Sequence, residues 1–408
     1  MQQGRWPFHA DEEISAVEQV LQRGKTNYWT GLECRKFETE YAEYTGAKYA
    51  VALMNGTVAL EAALYALDIG PGDEVITTCR TFIASASCAV MRGATPVLAD
   101  VDSDSQNITA ETIAEKITPR TKAIIAVHLA GWPCDMDAIL SLARPLGIRV
   151  IEDCAQAHGA RYKGRQVGTF GDVAAFSFCQ DKIITTGGEG GMITTSDRQI
   201  FEKIWSLKDH GKNHEKAHQE PVSGIYRWLH DSFGTNWRMT EMQAAIGRIQ
   251  LQKLNQWVHI RQKYATILNR AFSRIPALRV TLPPEDIHHA YYKYYVFIRP
   301  ELLQPGWDRN RIIQAVQAEG IQCMVGSCPT IHHEKAFAHA AVKIEGAFDN
   351  AVRLGETSLM FLVHPTLSED YIHRTVHVLT TVMDEASYIH AGMPGSMESD
   401  RDLIAVHE

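Results

Sequence analysis

Most of the short signatures that assign a chain to a class are missing from these 408 residues. No apolar run approaches the length of a membrane span, which argues against an integral helical membrane protein. The first residues, Met1-Gln2-Gln3-Gly4-Arg5-Trp6-Pro7, hold no signal-peptide core. No Cys-x-x-Cys pair occurs. The eight cysteines (Cys34, Cys79, Cys88, Cys134, Cys154, Cys179, Cys323, Cys328) are scattered, several of them in apolar strand-like runs. Reduced, buried thiols and a cytoplasmic location are therefore expected. A formal net charge of −8 with no dense Lys/Arg stripe argues against a nucleic-acid partner. G-x-S-x-G is absent, so a serine hydrolase has little support. There is no P-loop, and no G-x-G-x-x-G follows the first strand in the dinucleotide arrangement. His288-His289 and His332-His333 are adjacent pairs in polar surroundings, without the i, i+4 spacing of a helical metal site, and read as solvated loop histidines. No internal repeat or low-complexity block appears.

What is present is ordinary in bulk. Hydrophobic residues make up 45% and charged residues 22%, as in soluble globular enzymes. The length fits one large domain and a smaller one. Between about 47 and 200, short apolar runs at Tyr49–Leu53, Glu74–Thr78, 96–101, 123–128 and Arg149–Asp153 alternate with helix-like segments at 57–67, 83–91, 109–117 and 136–146. Strand–helix alternation implies an α/β fold with a mostly parallel sheet between helices, and in such sheets ligands bind at the C-terminal strand ends. Residues 203–235 read as a polar, aromatic excursion. A long helix is expected over 240–273, with Thr240 and Gln243 as its capping pair. A strand at 291–298 and helices at 308–319 and 371–383 make a smaller α+β domain. The expected division is 1–255, 256–388 and a loose tail over 389–408.

One stretch carries most of the chemistry. Ser177-Phe178-Cys179-Gln180-Asp181-Lys182 runs into Thr185-Thr186-Gly187-Gly188-Glu189-Gly190-Gly191. A lysine at the end of an apolar run, before a glycine turn, is placed to be partly desolvated and nucleophilic, as a Schiff-base lysine must be. If Lys182 holds an aldehyde cofactor, that cofactor is pyridoxal 5'-phosphate (PLP). Asn55-Gly56-Thr57 follows a strand and opens a helix, where free amides attract phosphate, although glycine at such a turn also serves plain structure. Glu152 and Asp153 end a strand and point to opposite faces. Asp153, the last residue before the turn, is the better candidate to hold a pyridine nitrogen protonated; a helix cap or an ion pair is the plainer alternative. Phe82 is placed to stack on a flat ring or to pack in the core. Ser177 is placed to bind phosphate or to cap a backbone group, and His158 reads as structural.

Together these residues resemble the sugar aminotransferase family named after DegT and StrS, a branch of the fold-type I PLP enzymes. The resemblance spans residues 10–385. It rests on Asn27-Tyr28-Trp29-Thr30-Gly31, Asn55-Gly56-Thr57-Val58-Ala59-Leu60, Gly72-Asp73-Glu74-Val75-Ile76, Arg80-Thr81-Phe82-Ile83-Ala84 and Val127-His128-Leu129-Ala130-Gly131. It continues through Ile151-Glu152-Asp153-Cys154-Ala155-Gln156, Phe176-Ser177-Phe178 with Lys182, Gly188-Glu189-Gly190-Gly191, Asn236-Trp237-Arg238-Met239 and Leu362-Val363-His364-Pro365.

The resemblance implies roles. Lys182 would bind PLP as a Schiff base and then move the proton between cofactor and substrate carbons. Asp153 would pair with the ring nitrogen and Gln156 would contact the phenolic oxygen. Phe82 and Ala155 would cover the two ring faces. Gly56, Thr57 and Ser177 would hold the phosphate. Asn236 would reach the phosphate from a neighbouring subunit, which makes a homodimer with shared sites the expected unit. Arg238 is the candidate for the donor carboxylate. The implied activity is ping-pong transfer of an amino group from an amino acid, usually L-glutamate, to a keto sugar, usually nucleotide-linked. A sugar dehydratase on the same scaffold would carry a histidine in place of Lys182. A non-catalytic regulatory relative would lose Lys182 or Asp153, or gain a DNA-binding module. Three features depart from the family pattern: Trp132 after Gly131, the additional glycine of Gly187-Gly188, and Gly326-Ser327-Cys328-Pro329 where relatives often have an aromatic loop.

Overall fold

A computed structural model describes residues 4–219, 227–338, 344 and 346–388. The stretch 389–408, expected as a tail, lies outside the described residues. The apolar runs form β1 (Tyr49–Leu53), β2 (Glu74–Thr78), β3 (Thr95–Ala99), β4 (Thr121–Val127) and β5 (Arg149–Asp153). A short ribbon, β6 (Arg161–Tyr162) and β7 (Arg165–Gln166), precedes β8 (Val173–Ser177) and β9 (Gly191–Thr195). The central sheet has the order β1-β9-β8-β5-β4-β2-β3. Neighbours from β8 to β3 run parallel, and β9 runs antiparallel to both β1 and β8. Because β8 and β9 are adjacent and antiparallel, no crossover helix joins them. The chain reverses over 178–190, at the C-terminal end of β8, and that reversal carries Lys182.

Side-chain alternation along the strands builds two cores. Ile125, Val127 and Ile151 pack with Leu60, Leu64 and Ile204 on one face; Ile124, Ala126 and Val150 pack with Met136, Ile139 and Leu140 on the other. The helix Gly56–Ala66 is rich in alanine and buries Ala59, Leu60, Ala62, Ala63, Leu64 and Ala66. A helix apolar on nearly every side must be enclosed. It lies against β8 and β9 and the helices Ala84–Met91 and Arg198–Lys208.

The polar excursion expected over 203–235 begins later than the sequence implied. Ile200, Ile204, Trp205 and Leu207 recur at helical spacing, and they bury one face of Arg198–Lys208. Lys208 is fully buried against Glu38, at 2.8 Å.

The helix Glu241–Phe272 runs 32 residues from the Thr240/Gln243 capping box. Its first half (Leu251, Leu254, Trp257, Val258) packs with Phe37 and Phe178. Its second half (Tyr264, Ala265, Leu268, Phe272) packs in a separate core with the helices Arg309–Ala318 and Glu369–Ala386. The expected boundary at 255/256 falls within this helix. The second core also covers a four-stranded antiparallel sheet. After β10 (Leu278–Arg279) and the short β11 (Ile287–His288) come β12 (Tyr294–Ile298), β13 (Cys323–Met324) and β14 (Ser358–Phe361), ordered β10-β12-β14-β13.

Candidate active site

Asn55 caps the helix Gly56–Ala66, its Oδ1 accepting from Val58 N–H at 3.0 Å. The first amides of that helix have no intrahelical acceptor and face the end of β8. Gly56 is required by proximity: a Cβ there would lie 2.7 Å from Ser177 Cβ. Ser177 is 8% exposed, and its Oγ accepts from Cys179 N–H at 3.3 Å. Beneath it, His158 is fully buried between Tyr41 and the Ser177 carbonyl, both at 2.8 Å. A carbonyl only accepts, so Nε2 carries the hydrogen and Nδ1 accepts from the Tyr41 hydroxyl. Burial pushes the His158 pKa down to about 4. A neutral, doubly bonded imidazole is structural, and it fixes Ser177 from below.

Asp153 and Glu152 separate as alternation requires. Glu152 accepts from the amides of Gly168 (2.8 Å), Phe170 (2.7 Å) and Gly171 (2.9 Å) and lies 3.1 Å from His128 Nε2. Cys134 N–H donates to His128 Nδ1 at 2.9 Å, so Nε2 is the donor to Glu152. Burial opposes the Glu152 charge, yet His128 and these amides hold its pKa below the ordinary value. His128, Glu152 and Cys154 bring ligand-type atoms within 4.8 Å of one another. Both ring nitrogens and both carboxylate oxygens are already committed, so the cluster reads as structure. Asp153 faces the other way. Ser85 Oγ donates to Oδ2 at 2.7 Å and Ala155 N–H to Oδ1 at 3.1 Å. Burial raises its pKa; Ser85, the Ala155 amide and the Lys182 ammonium oppose that rise without cancelling it. A carboxyl held up by burial ionises when a cation is set against it.

Lys182 is half-buried in the reversal after β8. Its charge lowers the pKa of Asp153, His158 and Cys328. Nζ lies 4.9 Å from the centre of the Tyr292 ring, and the Tyr292 hydroxyl donates to Asp181. Trp6 Nε1 donates to the Lys182 carbonyl at 3.1 Å. Trp6 is held edge-on to Trp257 and stacked on His364. The sequence offered one signal for it, a large aromatic beside a proline in an otherwise polar start.

The remaining expected residues divide. Phe82 is 59% exposed, so it is free to cover a ligand and does not pack in the core. Ala155 is half-buried beside Asp153, and Thr57 is exposed at the start of its helix. Gln156 is buried: Oε1 accepts from Ala130 N–H at 2.9 Å, and Nε2 donates to Cys328 Sγ at 3.1 Å. Asn236 is exposed on the segment whose Trp237 carbonyl accepts from Met54 N–H at 3.0 Å. Arg238 is partnered within this chain. Its Nη1 lies 2.6 Å from Asp209 Oδ1, and Asp209 also accepts from Lys212 (2.9 Å) and Trp29 (2.7 Å). The guanidinium answers a fully buried carboxylate through Nη1, while its Nε is buried without a partner among the described residues.

Two of the three departures have physical reasons. Gly187 (φ 90°) and Gly188 (φ 130°) both occupy left-handed backbone, so the reversal needs two glycines in succession. In the loop 326–329, Tyr295 OH accepts from Ser327 N–H at 2.8 Å, and Cys328 meets Gln156. Trp132 is buried, with its ring 5.5 Å from His289 and its carbonyl accepting from Asn107 at 2.8 Å.

An amine, a buried acid with raised proton affinity and a helix start joined to a serine hydroxyl lie at the C-terminal ends of β5 and β8, and the uncovered Phe82 ring opens the turn whose Ser85 binds that acid. That donor set fits the aldehyde, ring nitrogen, ring face and phosphate of PLP, and fold and site together define a PLP-dependent enzyme. Comparison with known proteins gives the same class. The solved aminotransferase from Psychrobacter cryohalolentis is 52% identical, superimposes with a TM-score of 0.92, and covers 94% of this chain and 99% of that one. SpsC, a spore coat polysaccharide biosynthesis protein of Bacillus subtilis (strain 168), is 36% identical over 93% of this chain and 96% of its own length. GDP-perosamine synthase of Caulobacter vibrioides is 39% identical over 85% of this chain and 89% of its own. The DegT/DnrJ/EryC1/StrS aminotransferase family matches residues 7–380, and the chain belongs to it. It is a PLP-dependent aminotransferase.

Proposed function

We propose that the protein transfers an amino group from an amino acid, L-glutamate, to a keto sugar carried on a nucleotide. The product serves amino-sugar biosynthesis for a surface polysaccharide or a glycosylated metabolite. The observation that carries this reading is a lysine, Lys182, in the reversal after β8, the strand paired with the Asp153 end of β5, in a relative of GDP-perosamine synthase. A histidine in its place would favour dehydration.

When bound, the cofactor supplies an electron sink for the substrate carbon that loses a proton. Lys182 Nζ would hold the cofactor and, once released, would carry that proton between the substrate and cofactor carbons. Asp153 keeps the ring nitrogen protonated; Ser85 and the Ala155 amide fix its rotamer. Ser177, Gly56 and Thr57 bind the phosphate, with His158 supporting Ser177. Phe82 and Ala155 exclude water from the two ring faces, and Gln156 orients the phenolic side.

The working unit in this reading is a cytoplasmic homodimer with shared sites. Three observations support it. Trp228 is 83% exposed, Phe233 is 99% exposed, and Asn236 is exposed on the same segment. All eight cysteines are free, in keeping with a reducing compartment. Among the described residues no helix is long and apolar enough to cross a membrane.

The test is a panel of UDP-, GDP- and dTDP-linked keto sugars with glutamate, scored by 2-oxoglutarate release. Turnover of at least one sugar is expected. Glutamate conversion without turnover of any sugar would refute the acceptor class.

A further inference from the structure

The reversal that carries Lys182 meets the start of β12 through a small group of charges. Asp181 directly precedes Lys182, and Tyr292 and Lys293 directly precede β12. The Tyr292 hydroxyl donates to Asp181 Oδ2, and Lys293 Nζ lies 3.5 Å from the same oxygen. Lys293 is 9% exposed and Tyr292 is 3% exposed. Both ammonium groups stand by the Tyr292 ring: Lys182 Nζ is 4.9 Å from its centre and Lys293 Nζ is 4.6 Å from it. The two nitrogens are therefore no farther apart than about 10 Å, a range over which charges still act at ordinary ionic strength.

A third cation stands beside them. Arg261, on the long helix Glu241–Phe272, is buried. Its Nη1 donates to the carbonyls of Tyr291 (3.4 Å) and Tyr292 (3.2 Å), while Nε and Nη2 are buried with no hydrogen-bond partner among the described residues. Its guanidinium lies 5.0 Å from the centre of the Trp6 ring, and Trp6 holds the Lys182 carbonyl. The other titratable neighbours are neutral near pH 7. Burial pushes His158 down to about 4 and His364 down to about 3, and it raises the Tyr292 and Tyr295 phenols and the Cys328 thiol. Asp153, at the end of β5, is the carboxylate assigned to the cofactor ring. That leaves Asp181 as the one anion of this group against Lys182, Lys293 and Arg261. Burial opposes its charge, yet Lys182, Tyr292 and Lys293 hold its pKa below the ordinary value. Burial lowers the Lys293 pKa to about 8, against the pull of Asp181.

We propose that Asp181 and Lys293 are positioning residues that set, in opposite senses, how firmly the Lys182 nitrogen holds its proton. The Asp181 anion favours that proton. Lys293 opposes it, both by its own charge and by occupying Asp181. A base that must take a proton and give it back needs an intermediate affinity, and an anion offset by a cation supplies one. The Asp181 side chain is 52% exposed, so water screens part of its charge and each effect is modest. The proposal rests on Lys182 being the lysine that holds the cofactor.

The test is a pH titration of the visible absorbance of the cofactor-loaded full chain, which follows protonation at the Lys182 nitrogen. Asp181→Asn should lower the midpoint, by about threefold or more in proton affinity. Lys293→Met should titrate about threefold or more higher in affinity than Lys293→Arg, because methionine never carries the charge and arginine always does. Thermal melts check that each variant is folded, and the Lys293 pair decides alone if Asp181→Asn does not fold. A role in packing alone would not separate methionine from arginine by charge. Coincident midpoints for Lys293→Met and Lys293→Arg, or the reverse order, would overturn the proposal, as would an unmoved or raised midpoint in Asp181→Asn. Lys182→Ala reports the premise separately: its absorbance should lose this pH dependence. Retention would mean that another group holds the cofactor, and the proposal would fall with that assignment.

Discussion

Asp153 and His158 lie five residues apart, both buried, and burial drives their pKa values in opposite senses. His158 titrates near 6.5 when exposed and near 4 when folded. Between those values the unfolded chain binds the extra proton, so the contribution of His158 to stability is full above pH 6.5 and is lost as pH falls through about 4. The size is on the order of 3 kcal/mol. His158→Gln keeps a donor and an acceptor but does not titrate. Denaturant midpoints measured from pH 7 to 4 should fall less steeply for that variant; His289 and His364, both pushed down to about 3, leave a residual slope. An unchanged slope would remove His158 from this role. Asp153→Asn cannot hold a ring proton by charge. Its glutamate half-reaction should slow about 100-fold or more with the fold intact, a rate readable by stopped flow. At this scale the sequence marked Lys182, Asp153 and Ser177 because chemical type and local position suffice for them. It could not show that Arg238 meets Asp209, since that residue lies 29 positions away and the pairing depends on tertiary packing.

Among the elements, the reversal over 178–190 matters most. Its double glycine places Lys182 while β9 returns alongside β8. Gly188 has no neighbour within 4 Å of a would-be Cβ, so strain from its φ of 130° is the only obstacle to substitution. Gly188→Ala should destabilise the fold by about 1–3 kcal/mol in denaturant titration and lower activity by displacing Lys182. A variant as stable and active as the parent would mean the reversal tolerates a Cβ. The strands β1 to β5 were legible because each is a short apolar run between turn signals. β9 was not: Met192-Ile193-Thr194-Thr195 has a strand's composition, but its antiparallel direction is set by pairing with β1 and β8. The helix Arg198–Lys208 was hidden partly because Lys208, polar by type, is buried by pairing with distant Glu38.

For the whole molecule, Phe233 is 99% exposed, and the homodimer proposal covers it. Light scattering should report twice the 45.6 kDa chain mass. Phe233→Asp should shift the population toward monomer and lower activity in proportion. A fully active monomer would contradict the shared site.

Lys182 is the residue that would hold the cofactor. The measurement is borohydride reduction of the purified enzyme followed by peptide mass mapping. The added cofactor mass should appear on the peptide containing Lys182. Addition at Lys293, the buried neighbour whose pKa is lowered to about 8, or at no lysine, would contradict it.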